Sequence, residues 1–250
     1  MRHVVSALVI GAGALFAALG DAGATSDPNE LSPASRALFT VDHLASVKEP
    51  AVLVYEFEKK GSLEEGFTDT VEAGVTKVWP DGGKDLSFHF LNGAHHVDFR
   101  NFENHVGNPI FMLFLERDVR EMERLTHGKA LYFRNRIRNA LAGSASLRPT
   151  TFDFNGKTVK GIEIRVEPFA DDPLNERYPR FAKRAYVFVL SDEIPGGIYK
   201  VNSVTPDPSG TQPLTDESVT FREMRAPAVK KADAGPATAA DRAKIANQTK

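Results

Sequence analysis

The sequence predicts an α+β fold that is mostly β, in which an antiparallel sheet of about eight to ten strands is covered by a central helix pair. Three observations predict it: two runs of alternating apolar and polar residues, two Asn-Gly dipeptides flanked by such runs, and one intervening stretch, 109–141, with apolar residues at helical spacing. The chain has 250 residues, and its ordered part, 33–224, fits a single domain.

In chain order, an export leader comes first. Arg2 and His3 supply a positive start, Val4 to Leu19 is predominantly apolar, and Ala22 and Ala24 have the small-x-small spacing that a signal peptidase reads. Residues 1–24 are therefore expected to be a cleaved signal peptide. The apolar run is interrupted by Ser6, Gly11 and Gly13 and is shorter than the ~20 residues of a membrane span. No cysteine follows it to carry a lipid, so the mature chain is expected to be soluble and periplasmic, with no transmembrane segment. Residues 25–32 and 225–250 have too few large apolar side chains to offset their ordering entropy and are expected to be disordered.

A short helix is expected from Pro33 to about Leu44, capped by Ser32. Ala51 to Glu58 alternates so that Leu53, Tyr55 and Phe57 share one face, and Phe67 to Val78 does the same with Phe67, Val71, Ala73 and Val75. Leu86 to Leu91 and Ala94 to Phe99 flank Asn92-Gly93, while Thr150 to Phe154 and Lys157 to Val166 flank Asn155-Gly156; both dipeptides suit a two-residue type I′ hairpin. Further strands are expected at Ala185 to Leu190, Ile198 to Val204 and Ser218 to Met224, separated by proline and glycine turns. Between the two sets of strands, Asn108 reads as a cap with Pro109 in the first helical turn, and Thr126 to Gly128 reads as the stop. A second helix, about Ala130 to Leu141, places Phe133, Ile137 and Leu141 on one side and Arg134 with Arg138 on another.

Composition removes several function classes. Thirty-one Lys and Arg against 33 Asp and Glu leave a formal net charge of −2, which gives no field to gather nucleic acid. Without cysteine there is no disulfide framework, thiolate nucleophile or Cys-type zinc site. No G-x-S-x-G, P-loop, H-E-x-x-H or G-x-G-x-x-G motif is present, so the chain reads as a non-enzyme with no cofactor. One metal candidate stands against this. A two-residue loop at Asn92-Gly93 would set His89 opposite His96, with Asp98 on the same side of the hairpin, although polar alternation of this kind normally marks a solvated face. Asp69 has the apolar parity of its strand and needs a partner, for which an Arg of the helical insert and an outward turn are the alternatives. The segment Arg117 to Arg148 is rich in Arg and has no acid between His127 and Asp153, so Arg134, Arg136 and Arg138 could dock an anionic head group or a protein partner. The run Ile110 to Leu115 is apolar all round, which suits both a core plug and the movable wall of a cavity.

The order of exported N-terminal helix, strands, central helix pair and strands resembles the periplasmic lipoprotein carriers of the LolA/LolB type. The apolar run after Asn108-Pro109 and the late strand after Pro195-Gly196-Gly197 carry that resemblance. It implies a strongly curved antiparallel sheet, a half-barrel, closed by helices over an apolar cavity. The expected function is then non-enzymatic binding of an apolar or amphipathic, lipid-like ligand in the bacterial cell envelope, with Tyr55, Phe57, Phe88, Phe90, Phe111, Phe114, Leu115 and Phe133 as walls. An envelope protein–protein interaction module docking through the basic helix face is the second reading, and a metal-dependent hydrolase on the His89/His96 hairpin is the third.

Overall fold

The structure is a computed structural model and describes residues 31–228. The expected leader, residues 25–30 and the tail from 229 onward lie outside the described residues. Among the described residues, three α-helices and nine strands follow in the order α1 (Pro33–Phe39), β1 (Ala51–Lys60), β2 (Phe67–Val78), β3 (Lys84–Phe90), β4 (Phe102–His105), α2 (Ile110–Thr126), α3 (Ala130–Gly143), β5 (Ser146–Phe154), β6 (Lys157–Val166), β7 (Ala185–Leu190), β8 (Ile198–Thr205) and β9 (Thr215–Arg225). All nine strands form one antiparallel sheet in the order β4-β3-β2-β1-β9-β8-β7-β6-β5. The two sets of strands read from the sequence therefore join where β1 pairs with β9.

The sheet is strongly curved. Phe154 of β5 lies four strands from β9 in pairing order, yet its ring is 5.7 Å from Phe221 of β9, and Phe152 stacks on Tyr199 of β8 at 3.9 Å. The concave face carries the core: Leu53, Tyr55 and Phe57 of β1, Val71 and Val75 of β2, Leu86 and Phe90 of β3, and Val219 and Phe221 of β9 are all buried. Against it lies α2, whose first turns bury Ile110, Phe111, Leu113 and Phe114, so the all-apolar run is covered as its composition requires. The predicted architecture, a curved antiparallel sheet with a helix pair over its concave face, is the one found.

Several local expectations are corrected. Helix α1 ends at Phe39, not near Leu44, because the chain turns back and the His43 imidazole, through Nε2, meets the Ala37 carbonyl at 2.8 Å. Ser32, placed in the N-terminal segment expected to be disordered, is ordered: its hydroxyl accepts from the Ser35 amide and donates to the Leu141 carbonyl. Pro109 sits one position before the first helical residue, and Asn108 accepts from the Ile110 amide. The strand expected at Ala94–Phe99 is absent. Gly93–His95 is a 3-10 turn, a lone bridge joins Phe90 to Val97, and β3 takes its partner from β4 instead. Asn92 is extended (φ −117°, ψ 162°) because its amide and side chain both donate to Asp69, so it cannot open a type I′ turn. Asp69 thereby finds its partner in this loop and not in an arginine.

Candidate functional site

The helix pair holds an apolar groove that meets charged side chains. On α2, Met112, Leu115, Glu116 and Val119 recur at i, i+3, i+4 and i+7, the spacing of a single helix face. On α3, Arg134, Ile137, Arg138 and Leu141 do the same. These two faces, with Phe39 at the end of α1, line a groove of about 240 Å³. Ile137 and Leu141 are buried in its floor, Leu115 is 9 % exposed, and Phe39 is 49 % exposed while its ring meets Phe111 edge-on at 5.4 Å. The Ser32 and Ser35 hydroxyls fix this end of the groove by both donating to the Leu141 carbonyl.

The rim is polar. Glu116 accepts a forked pair from Arg134, with Nε at 3.1 Å and a terminal guanidinium nitrogen at 2.9 Å, and Arg120 approaches it at 3.7 Å. Arg136 turns away from the groove, donating to the Pro168 carbonyl at 2.9 Å and pairing with Asp172 at 3.2 Å. Arg138 is exposed and, among the described residues, meets no carboxylate.

Of the side chains expected as ligand walls, only Leu115 lines this groove. Phe111 and Phe114 lie in the same helix on the turns that face the sheet, and Tyr55, Phe57, Phe90 and Phe133 are also buried in the core. Phe88 is half-buried against Phe102 at the open end of β3.

A buried polar network beneath α2 went unread in the sequence. Asp118, fully buried, pairs with Arg184 and accepts from the Tyr186 hydroxyl at 2.6 Å and from Ser203 at 2.9 Å. Arg184 also donates to Thr205 and Thr215 at 2.7 and 2.8 Å. Burial opposes the Arg184 charge, but Asp118 more than offsets it; burial first and Asp118 second push the Tyr186 phenol well above its ordinary value. Next to Asp118 in the helix, Arg117 pairs with Glu217, which Lys59 approaches at 3.4 Å. Outward from these, hydrogen bonds from Arg124 and Lys59 hold Glu64 down to about 2. The signal was available: Phe111, Phe114, Asp118 and Met122 follow the core stripe of α2, and Glu217 has the core parity of Val219 and Phe221.

His89 and His96 do come together, with ring centroids 5.1 Å apart, despite the misread turn. Both nitrogens of His96 are engaged, Nδ1 with the Leu91 carbonyl at 3.0 Å and Nε2 with Asp98 at 3.0 Å, while His89 meets Asn92 at 2.8 Å. Among the described residues no group of three or more His, Asp or Glu is placed to hold a metal ion.

His43, whose Nε2 meets the Ala37 carbonyl of α1, is 8 % exposed, and its Nδ1 has no hydrogen-bond partner. Burial lowers its pKa below 6.5, against the opposing pull of Asp42 and Asp192. The unfolded chain takes up this proton near 6.5 and the folded chain resists it, so stability is expected to fall as pH drops through that value. His43→Leu is expected to flatten the fall between about pH 6.5 and 5, measured as the urea midpoint at each pH; an unchanged slope would remove His43 as its source.

No family model matches the chain, and no curated protein matches it either. Similar solved structures are the lipoprotein LppX of Mycobacterium tuberculosis (10% identity over 74% of this chain and 92% of that one, TM-score 0.33) and LprF of Mycobacterium bovis (12%, 79%, 95% and 0.30). A LolA superfamily protein of Nitrosomonas europaea also matches, at 6% identity over 78% of this chain and 93% of that one, with a TM-score of 0.21. The likeness is one of layout. Among the described residues no helix is long and apolar enough to cross a membrane.

Proposed function

We propose that this chain is a non-enzymatic binding protein for an apolar or amphipathic, lipid-like ligand, exported to the periplasm of a bacterial cell envelope. The observation that carries the reading is the groove between α2 and α3: an apolar floor of Leu115, Ile137 and Leu141 reached from solvent past a charged rim. A site of this kind, mostly apolar with a few placed polar groups, suits an amphiphile. The packed aromatic side chains behind it, Phe111, Phe114 and Phe133 with Tyr55, Phe57, Phe88 and Phe90 further into the sheet, become walls for a ligand that displaces the plug. Docking of a protein partner through the basic face of α3 has less support, since Arg134 and Arg136 are both engaged within the chain.

Added long-chain fatty acid or phospholipid is expected to raise the melting temperature, since a ligand present at a hundred times its Kd adds about 2.7 kcal/mol to the native state. Native mass spectrometry of protein taken from its own envelope is expected to show lipid-sized adducts. A bare mass, together with a melting temperature that no lipid shifts, favours the partner-docking reading.

A further inference from the structure

We infer that the groove takes an amphiphile with one hydrocarbon chain and one negative charge, its head seated on Arg138. This rests on the binding reading above and specifies its ligand. The charge balance of the rim points to it. Glu116 is the single carboxylate among the groove residues, and its forked pair with Arg134 neutralises both. Arg138 stands one helical turn further along α3, on the same side as Arg134, and meets no carboxylate among the described residues. No acidic residue occurs anywhere in α3 to balance it. Among the residues that line the groove, one positive charge is therefore uncompensated, on a guanidinium whose planar fork matches a carboxylate or a phosphate monoanion. A second negative charge on the ligand would meet Glu116.

The floor sets the rest of the ligand. Beside Arg138 lie Ile137 and Leu141, and past them Met112 and Phe39, so an apolar track leads from the head site toward α1. At about 240 Å³ the groove falls below the ~300 to 1,000 Å³ of pockets that enclose a drug-sized molecule, which leaves room for one chain and not for two. Forked pairing to one exposed arginine fixes the head, and burial of the chain supplies most of the affinity.

The test uses the full chain and three twelve-carbon probes below their micelle concentrations: dodecanoate, dodecanol and dodecyltrimethylammonium. Calorimetry is expected to show dodecanoate binding about tenfold tighter than dodecanol, the range that a charge-assisted hydrogen bond gives. Arg138→Gln is expected to bring the ratio of dodecanoate to dodecanol affinity close to one, and Arg138→Glu to turn the preference toward the ammonium probe. Because Arg138 is exposed, neither change threatens the fold. Equal binding of dodecanoate and dodecanol, unaltered by Arg138→Gln, overturns the head-group assignment while the groove reading stands. If no probe binds, the groove reading fails with it. A ligand-free dimer that dodecanoate splits would make a second copy the occupant and overturn the assignment too.

Discussion

Asp118→Ala is expected to cost about 3–5 kcal/mol, a large part of the ~5–15 kcal/mol that holds a domain together. The loss comes less from the contact removed than from what stays behind. Arg184 is nearly inaccessible to water, and without Asp118 its charge is left with the hydroxyls of Ser203, Thr205 and Thr215 and no direct carboxylate partner among the described residues. Tyr186 loses its acceptor at the same time. Replacing both charged partners by apolar residues, Asp118→Leu with Arg184→Met, is expected to cost far less than the single change, because no unpaired charge then remains buried. Urea unfolding of the three variants decides it through the midpoint and slope together. A loss below about 1 kcal/mol for Asp118→Ala would mean that water reaches Arg184 and that the network does not clamp α2 to the sheet.

That clamp divides α2 into two parts with different roles. From Arg117 onward the helix is tied to β7, β8 and β9 by ion pairs and hydrogen bonds. Its first turns are held by apolar packing and by Asn108, whose side-chain amide donates to the Tyr55 hydroxyl and the Gly196 carbonyl at 2.9 and 2.8 Å. Helix α3 is joined to α2 mainly across the groove, by the Glu116–Arg134 pair at the rim and by side-chain packing below it. Of the two helices, α3 has fewer buried polar ties to the sheet among the described residues.

The sequence made most of the strands, the helix pair and their order legible because period-two and period-3.6 patterns are local, while the four-residue β4 went unread. The two Asn-Gly dipeptides mark where local reading stops. At Asn155-Gly156 both residues adopt positive φ, 52° and 74°, and Phe154 pairs with Lys157, as a two-residue hairpin requires. At Asn92-Gly93 a carboxylate 23 residues upstream captures the Asn92 amide and side chain, and a 3-10 turn replaces the hairpin. No dipeptide rule can register a contact from the neighbouring strand. The groove was harder still. Periodicity shows that Ile110 to Leu115 is apolar, but not which of its faces meets the sheet and which meets α3; that depends on how the two helices pack. Asp118 is the opposite case: its spacing puts a carboxylate on the core stripe of α2, a local signal that went unread.

The faces of α2 make adjacent residues respond differently. Phe114 is wholly buried against the sheet, and Phe114→Ala is expected to cost about 3–5 kcal/mol because the surrounding core closes only partly over the space left behind. Leu115, its neighbour, stands at the groove, where one side of the side chain already faces open volume. Leu115→Ala removes fewer close contacts and is expected to cost about 2 kcal/mol or less, near the lower end for a buried leucine. It also widens the groove, so dodecanoate is expected to raise the melting temperature of Leu115→Ala more than that of the wild type, while Phe114→Ala gains no such response. Thermal unfolding of both variants with and without the ligand measures the difference. Equal losses, with neither variant recovered by dodecanoate, would place Leu115 in the same solid core as Phe114 and leave the groove too shallow to bind a chain.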